Sequence, residues 1–474
     1  MPLEKPRLAR RDWLKSASLG GLSTVLAPHS AAAHEAVAEP PQNKVRGIVF
    51  MVSDGMSPGV LTLAEAFSQL TRKRGTQWWQ WLNDRHVSHG LMDTASANSL
   101  VTDSAAASSA WGGGKRVANG CINIDENGRE ITPIAAILKA STKTRIGLVT
   151  TATVTHATPA GFAACIPARA DEHAIAPQYL NRVDVILGGG SEFFRPQSRP
   201  DGRDLRADFQ QAGYQYIRRR DELLSSRSAK ILATFTKGHL PFSIDRTHDA
   251  KLTARVPTLA EMAEAALARF LPGEQPFLLQ VEGARIDHAA HLNDIGALLH
   301  DQLAFDDAIE TVLRLTAGRH DILVVATSDH GNSNPGLNGI GAGYRDSTPH
   351  FARITRLKSS HERVFAEWKK QQTGHPADLT ALVARLLDFH LRDDEAAALH
   401  AILAAKPVVE WNHQLHKPEG LLGQFIGNHT GIGWNGTTHT SDPTVVTAAG
   451  PQASRFAGIV KNTDVFRHFL DLLA

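Results

Sequence analysis

With 474 residues, 42% of them hydrophobic and 21% charged, the chain can bury a large core and is too apolar to be disordered away from its ends. The formal charge of +2 comes from the first 33 residues, where Lys5, Arg7, Arg10, Arg11 and Lys15 face only Glu4 and Asp12; the remainder is near −1, which argues against a nucleic-acid surface. Only Cys121 and Cys165 occur, which excludes a disulfide scaffold and leaves a single bridge open.

Arg10-Arg11-Asp12-Trp13-Leu14-Lys15 is a twin-arginine pattern, followed by a modest apolar stretch from Ala17 to Leu26 and the small residues Ser30-Ala31-Ala32-Ala33. Residues 1–33 therefore read as a twin-arginine-type signal peptide, and the mature protein is expected to be periplasmic or secreted. The apolar stretch is too short and too rich in Gly and Ser for a stable membrane anchor. Residues 34–44, with Pro40-Pro41, read as a linker, and the fold is expected to occupy 45–474.

The fold opens with the apolar run Val45 to Val52, of buried-strand length, which ends in Ser53-Asp54-Gly55. Asp-Gly after a strand is commonly a turn, but strand carboxyl ends are also where open α/β sheets bind ligands. Trp78 to Asn83 reads as a surface helix. Val101-Thr102-Asp103-Ser104 then runs into an Ala-rich segment that Gly112-Gly113-Gly114 should stop, so Ser104 is expected at or beside a helix N-terminus. There it either caps the helix or, next to an anion held by free N–H groups, serves as a nucleophile.

A strand over Ile146 to Thr150 precedes His156-Ala157-Thr158-Pro159-Ala160, and Val183 to Leu187 runs into Gly188-Gly189-Gly190, read as a tight strand exit. Pro257 to Phe270 has helical periodicity, with Leu259, Met262, Ala266 and Leu267 on one face. The strand Phe277 to Val281 ends in Glu282-Gly283. Beyond it, Asp287 and His291 are four apart, and on a helix they would share a face and grip one ion. A long helix from about Ile295 to Thr316 leads to the strand Ile322 to Ala326 and to Thr327-Ser328-Asp329-His330-Gly331. Residues 332–430 read as an insertion over the site, with Ala377 to Leu403 its clearest amphipathic part, and Pro443 to Ala448 reads as the closing strand. Carboxylates and imidazoles thus land repeatedly at strand exits, and the alternating elements predict the α/β class.

With Asp54, Asp103-Ser104-Ala105, His156 to Ala160, Glu282, Asp287 and His291, Asp329-His330-Gly331 and His439-Thr440 in hand, the chain resembles the alkaline phosphatases from about Val45 to Leu473. Leu187 to Gly190 and Pro257 to Met262 resemble that family's intervening landmarks. The resemblance implies a three-layer fold, with a central, mostly parallel sheet between helices, that hydrolyses phosphomonoesters with release of inorganic phosphate through a covalent phosphoserine on Ser104. It also implies two zinc ions, one on Asp287, His291 and His439 and one on Asp54, Asp329 and His330. A magnesium would rest on Asp54, Thr158 and Glu282, and Arg169 would grip the phosphate. The family is often dimeric, so a homodimer is open. Small phosphomonoesters are the expected substrates, with no nucleic-acid partner.

His156 and His288 stand where some members carry Asp and Lys, which leaves the third metal open between magnesium and a transition metal; both are read as groups behind the ligands. His429-Thr430 is the alternative to His439-Thr440, which lies just before the closing strand and fits the family's position. Cys165-Ile166-Pro167-Ala168-Arg169 matches the pattern oxidised in the related sulfatases, but Ser104 already fills the nucleophile's place. The alternatives are a phosphodiesterase or sulfatase of the same superfamily, or a non-catalytic phosphate- or metal-binding protein.

Overall fold

The computed structural model describes residues 44–371, 375–406 and 417–474, so the proposed signal peptide and all of the linker but Lys44 lie outside the described residues. Its first strands are β1 (Gly47–Val52), β2 (Ser88–Asp93), β3 (Arg145–Thr153), β4 (Val185–Gly189), β5 (Gln215–Ile217), β6 (Ile231–Thr234) and β7 (Phe277–Glu282). There follow β8 (Ile322–Thr327), β9 (Gly331–Asn332), β10 (Gly336–Leu337), β11 (Ile432–Gly433), β12 (His439–Thr440), β13 (Thr444–Ala449) and β14 (Gly458–Lys461). Ten of them form one sheet in the order β14-β2-β13-β8-β1-β7-β3-β4-β6-β5, in which β13 alone runs against the rest. β9 with β12 and β10 with β11 make two small antiparallel ribbons.

β1, β7 and β8 are buried along their whole length, as their unbroken apolar sequences require when helices cover both faces. Alternate residues of β1 serve two cores: Val49 and Met51 face one, Ile48, Phe50 and Val52 the other. The second core takes Ala105 and Trp111 from the helix Ser104–Gly113, and Val465 and Phe469 from the helix Asn462–Leu473. The first takes the helices Leu259–Phe270 and Ile295–Thr316. Residues 332–430 add Phe351, Ile354, Val364, Leu379 and Leu422 to that same first core.

Pairing register does the positioning. Val52 of β1 lies opposite Glu282 of β7 and Thr327 of β8, and Glu282 lies opposite Thr150 of β3. The carboxyl ends of these central strands are therefore level, and Asp54, Glu282 and Asp329 emerge side by side.

Three expectations are corrected. The helix Gln77–Leu82 is a surface helix on one face only: Trp79 and Gln80 are exposed, but Trp78 and Trp81 are buried, the Asp306 carboxylate accepts from the Gln77 and Trp78 backbone N–H groups, and Trp78 Nε1 donates to Thr447 Oγ1 at 3.0 Å. The amphipathic stretch 377–403 is helical as expected and divides into Pro376–Leu387 and Asp393–Leu403, where Asp388 turns left-handed at φ 52°. β13 does not close the chain, since β14 and a final helix follow it. His361, a solvated residue by its polar neighbours in sequence, is buried under Asp294 and Leu292, with its N–H on Asp294 Oδ2 at 2.6 Å.

The Ala-rich composition after Ser104 reflects close packing. The helix Ser104–Gly113 lies against Ala157–Ala163, where Ser108 Oγ donates to Ala157 O at 2.8 Å. A Cβ at Gly112 would sit 2.0 Å from Gly161 O, a backbone atom that cannot swing away. Gly112→Ala is accordingly expected to cost at least about 2 kcal/mol of stability, measurable by denaturant unfolding.

Candidate active site

Asp103, not Ser104, caps the helix. Its Oδ1 accepts from Ala106 N at 2.9 Å, while Oδ2 accepts from Gly120 N at 3.0 Å and Arg169 Nη1 at 3.1 Å. The Ser104 hydroxyl is thereby spared capping duty at the positive end of a ten-residue helix. The helix continues through Gly112 and Gly113 and ends at Gly114, whose φ of 73° is left-handed. Ser104 is buried, with Oγ 3.2 Å from His330 Nε2.

Three groups of ligand-type side chains converge at this end of the sheet: Asp54 with Asp329 and His330, Asp287 with His291 and His439, and Asp54 with His156 and Glu282. Within each, the ligand atoms lie within 4.8 Å of one another. His330 Nε2 is 3.1 Å from Asp329 Oδ2 and 3.7 Å from Asp54 Oδ1, while Asp329 Oδ1 accepts from Gly55 N. Asp287 and His291 share one face of the helix Arg285–His291, as their spacing predicts, and β12 delivers His439 opposite Asn332 of β9.

Tautomers define the second group. His291 Nδ1 donates to Thr437 O and His439 Nδ1 to Thr102 O, both at 2.8 Å. In the neutral rings both Nε2 lone pairs then point inward, 3.0 Å from each other and 3.4–3.6 Å from the Asp287 carboxylate. Two facing lone pairs beside a carboxylate need a proton or a metal ion between them. Asn332 Nδ2 fixes that carboxylate by donating to Asp287 Oδ1 at 2.7 Å.

The third group is short of partners. Both oxygens of Asp54, Glu282 Oε1 and Thr158 Oγ1 are buried without a hydrogen bond in the protein, and Thr150 Oγ1 donates to Glu282 Oε2 at 2.5 Å. Burial, and then the carboxylates of Asp329, Asp287 and Glu282, raise Asp54 well above the usual carboxylate range. Burial first, then Asp329, pushes Glu282 up to about 7, against the opposing bond from Thr150. Burial lowers His291, but Asp287 and the Thr437 carbonyl outweigh it and bring the ring to about 8; burial and neighbouring His330 take His439 down to about 4. Carboxylates crowded like this in a dry pocket are costly unless a cation neutralises them, and these donors suit divalent metals.

The residues proposed for the site from the sequence are at this end of the sheet or bonded to something that is. Arg169, half-buried, reaches Asp103 with Nη1 and donates from Nη2 to His156 Nε2 at 3.1 Å. His156, read as a group behind the ligands, brings a nitrogen among them. The His288 ring packs 5.5 Å from His156, and burial, with Arg285 next, keeps it far below the usual imidazole range. His429 is elsewhere, in the helix Pro418–Thr430 and 3.5 Å from Glu395. Asn332, Arg285 and His239 escaped the sequence reading: each supports or lines the site without a motif of its own. Asn332, two residues after His330, and Arg285, two before Asp287, had a nearby signal.

Cys121 and Cys165 are free. Ile122 pairs antiparallel with Ile166, so the two cysteines lie on a diagonal of roughly 7–8 Å, beyond normal disulfide reach. Cys165 belongs to none of the three groups; it is buried, its Sγ donates to Ile131 O, and burial pushes the thiol up to about 11. That is the environment of an inert thiol.

Among the described residues, no helix is long and apolar enough to cross a membrane. The family model described as alkaline phosphatase matches residues 45–474. Alkaline phosphatase 4 of Bacillus subtilis is 28% identical, the match covering 89% of this chain and 87% of that protein. The crystal structure of Thermus thermophilus alkaline phosphatase superposes with a TM-score of 0.83 at 32% identity, covering 94% of this chain and 95% of the other. A cold-active alkaline phosphatase from Shewanella sp. matches with a TM-score of 0.73 at 29% identity, covering 90% of this chain and all of that one.

Proposed function

This chain belongs to the alkaline phosphatase family of metal-dependent phosphomonoesterases, and from that premise we propose that Ser104 is its nucleophile and carries a covalent phosphoserine during turnover. The observation that carries the reading is the Ser104 hydroxyl, freed from capping and 3.2 Å from His330, near carboxylate oxygens of Asp54, Asp329 and Glu282 that no hydrogen bond satisfies. Asp287, His291 and His439 would hold one zinc, and Asp54, Asp329 and His330 a second beside Ser104. Asp54, Thr158 and Glu282 would hold a magnesium. His156 offers a nitrogen there, but Arg169 donates to its Nε2, so the neutral ring keeps its proton on Nδ1 and oxygen donors remain. When bound, the metals supply Lewis acidity that lowers the serine pKa and offsets charge on the attacking and leaving oxygens.

The protein's own part is placement. Ser104 Oγ attacks phosphorus from the helix N-terminus, where free N–H groups and the dipole favour the phosphoryl anion. Arg169, its Nη1 anchored by Asp103, stands beside that terminus with a planar fork for two phosphoryl oxygens. Water then takes the phosphoryl group from Ser104, and inorganic phosphate leaves. Export by the twin-arginine segment 1–33 would deliver the folded, metal-loaded protein to the periplasm or medium, and residues 332–430 would shape access to the site.

Two zincs and one magnesium per chain are expected on metal analysis. A substrate panel separates the relatives: p-nitrophenyl phosphate should exceed the corresponding diester and sulfate by at least about 10³-fold in kcat/KM. A preference for either of the latter, or stoichiometric phosphate binding without turnover, would overturn the assignment. Cys165→Ala should keep at least about half of native activity, given that thiol's inert setting; loss of turnover in a folded variant would move the chemistry to the sulfatase class.

A further inference from the structure

An open-sided cavity of about 650 Å³ lies between the helix Arg220–Ser225 and the helix Leu259–Phe270. Ala229, two residues before β6, lines it, as does Arg269, whose carbonyl is bonded to Arg145 at the start of β3. The cavity is therefore at the amino ends of the strands, the edge of the sheet opposite Asp54 and Glu282. Leu223, Leu224, Ala265 and Ala268 give it an apolar wall, and its volume is that of a pocket for a small organic molecule.

Charge around the cavity is balanced on one side only. Of the lining carboxylates, Glu261 is gripped by Arg220 and Glu264 pairs with Arg314 at 3.3 Å. Arg227 and Arg269 form no ion pair among the described residues. Arg269 donates to the Ser226, Ser228 and Ala265 carbonyls and to Ser226 Oγ, and Arg227 Nη1 to the Leu224 and Ser226 carbonyls. Arg145, behind them, ends on Arg269 O and Ala229 O, while Asp184, whose field reaches it, is bound by Lys139 at 2.5 Å. A carbonyl satisfies an N–H but carries no net charge, so the positive charges gather here without counterions. Burial, and then Arg227 and Arg145, accordingly bring Arg269 down to about 10. Nε and Nη2 of exposed Arg227 make no hydrogen bond among the described residues, which leaves one edge of its planar fork free.

An inorganic anion would answer the charge and leave the apolar wall wet; a neutral apolar molecule would do the reverse. We propose that this cavity binds an amphiphilic organic anion, its carboxylate, sulfonate or phosphate head on the free edge of Arg227 and its aromatic or alkyl body along Leu223, Leu224 and Ala268. The site is separate from the phosphoryl-transfer centre and does not depend on the roles assigned there.

The probe is anilinonaphthalene sulfonate, an aromatic body with one fixed negative charge, titrated by fluorescence into the full metal-loaded protein. One saturable site with a Kd on the order of 10–100 µM is expected. Inorganic phosphate at constant ionic strength, which as product occupies the reaction centre, should leave that Kd within about two-fold. Uncharged phenylnaphthylamine should bind at least about five-fold more weakly. Arg227→Ala, at an exposed position where folding is not at stake, should weaken the sulfonate at least about five-fold, and Arg227→Lys, which keeps the charge without the fork, about two-fold. Absence of a saturable site in the native protein, displacement by phosphate, equal affinity for the uncharged dye, or an unchanged Kd in Arg227→Ala each overturns the proposal.

Discussion

Ser104→Ala is expected to lower p-nitrophenyl phosphate turnover by at least about 10³-fold, the scale on which removing a covalent nucleophile acts. The fold should barely notice. Ser104 sits in the first turn of a helix that Asp103 caps, and among the described residues its hydroxyl hydrogen-bonds only to His330. Alanine is also the better helix former, so the unfolding midpoint should stay within about 2 °C of native. Metal content should stay close to native, because each proposed ion keeps all of its carboxylate and imidazole ligands in the variant. Acid quenching of the native protein during turnover should trap phosphate on Ser104, and Ser104→Ala should trap none. Near-native turnover in the variant would remove serine chemistry from this protein.

Removal of the metals has the second large effect, and it reaches stability as well as rate. Turnover should drop at least about 10²-fold with chelator and return when zinc and magnesium are added back. The metal-free fold should also become sensitive to pH. Glu282 is raised from 4.5 to about 7, and Asp54 moves the same way, so between those values the folded chain binds more protons than the unfolded one. Stability therefore falls as pH rises through that window. His291 has the same sign, its contribution complete below 6.5 and lost as pH passes about 8. His439, lowered from 6.5 to about 4, works the other way. Lowered imidazoles, His156, His239 and His288 among them, still oppose the raised groups up to about pH 7.5, so it is from about pH 7.5 to 8.5 that the raised groups dominate and the metal-free midpoint should fall, by roughly 2 °C or more. With metals replacing the protons, the loaded protein should hold its midpoint over the same range. A metal-free midpoint that does not move with pH would mean that these carboxylates do not share a dry pocket.

What could be read from the sequence, and what could not, divides on physical lines. Asp54, Glu282 and Asp329 were legible because each ends an apolar strand, and parallel register then brings strand ends level. Asp287 and His291 were legible because helical spacing alone puts them on one face. The short strands β5 and β6 and the edge strand β14 carry too few residues for periodicity to show. The helix Gln77–Leu82 misled because its burial comes from Asp306, more than two hundred residues away. Arg285, His239 and Asn332 were silent for a related reason: they act through hydrogen bonds to other side chains or to distant backbone, which tertiary packing creates and local pattern does not record.

The contact between Gly112 and Gly161 bears on how this protein can change over generations. Because two backbones touch there, neither helix can drift to accommodate a bulkier neighbour, and the spacing between Ser104 and Thr158 is inherited as a unit. Deep mutational scanning should show an intolerant band along the inner faces of both segments, while the exposed loop around His239 accepts variation. New substrate preferences would then arise at the rim, with the hydroxyl and its surroundings left untouched.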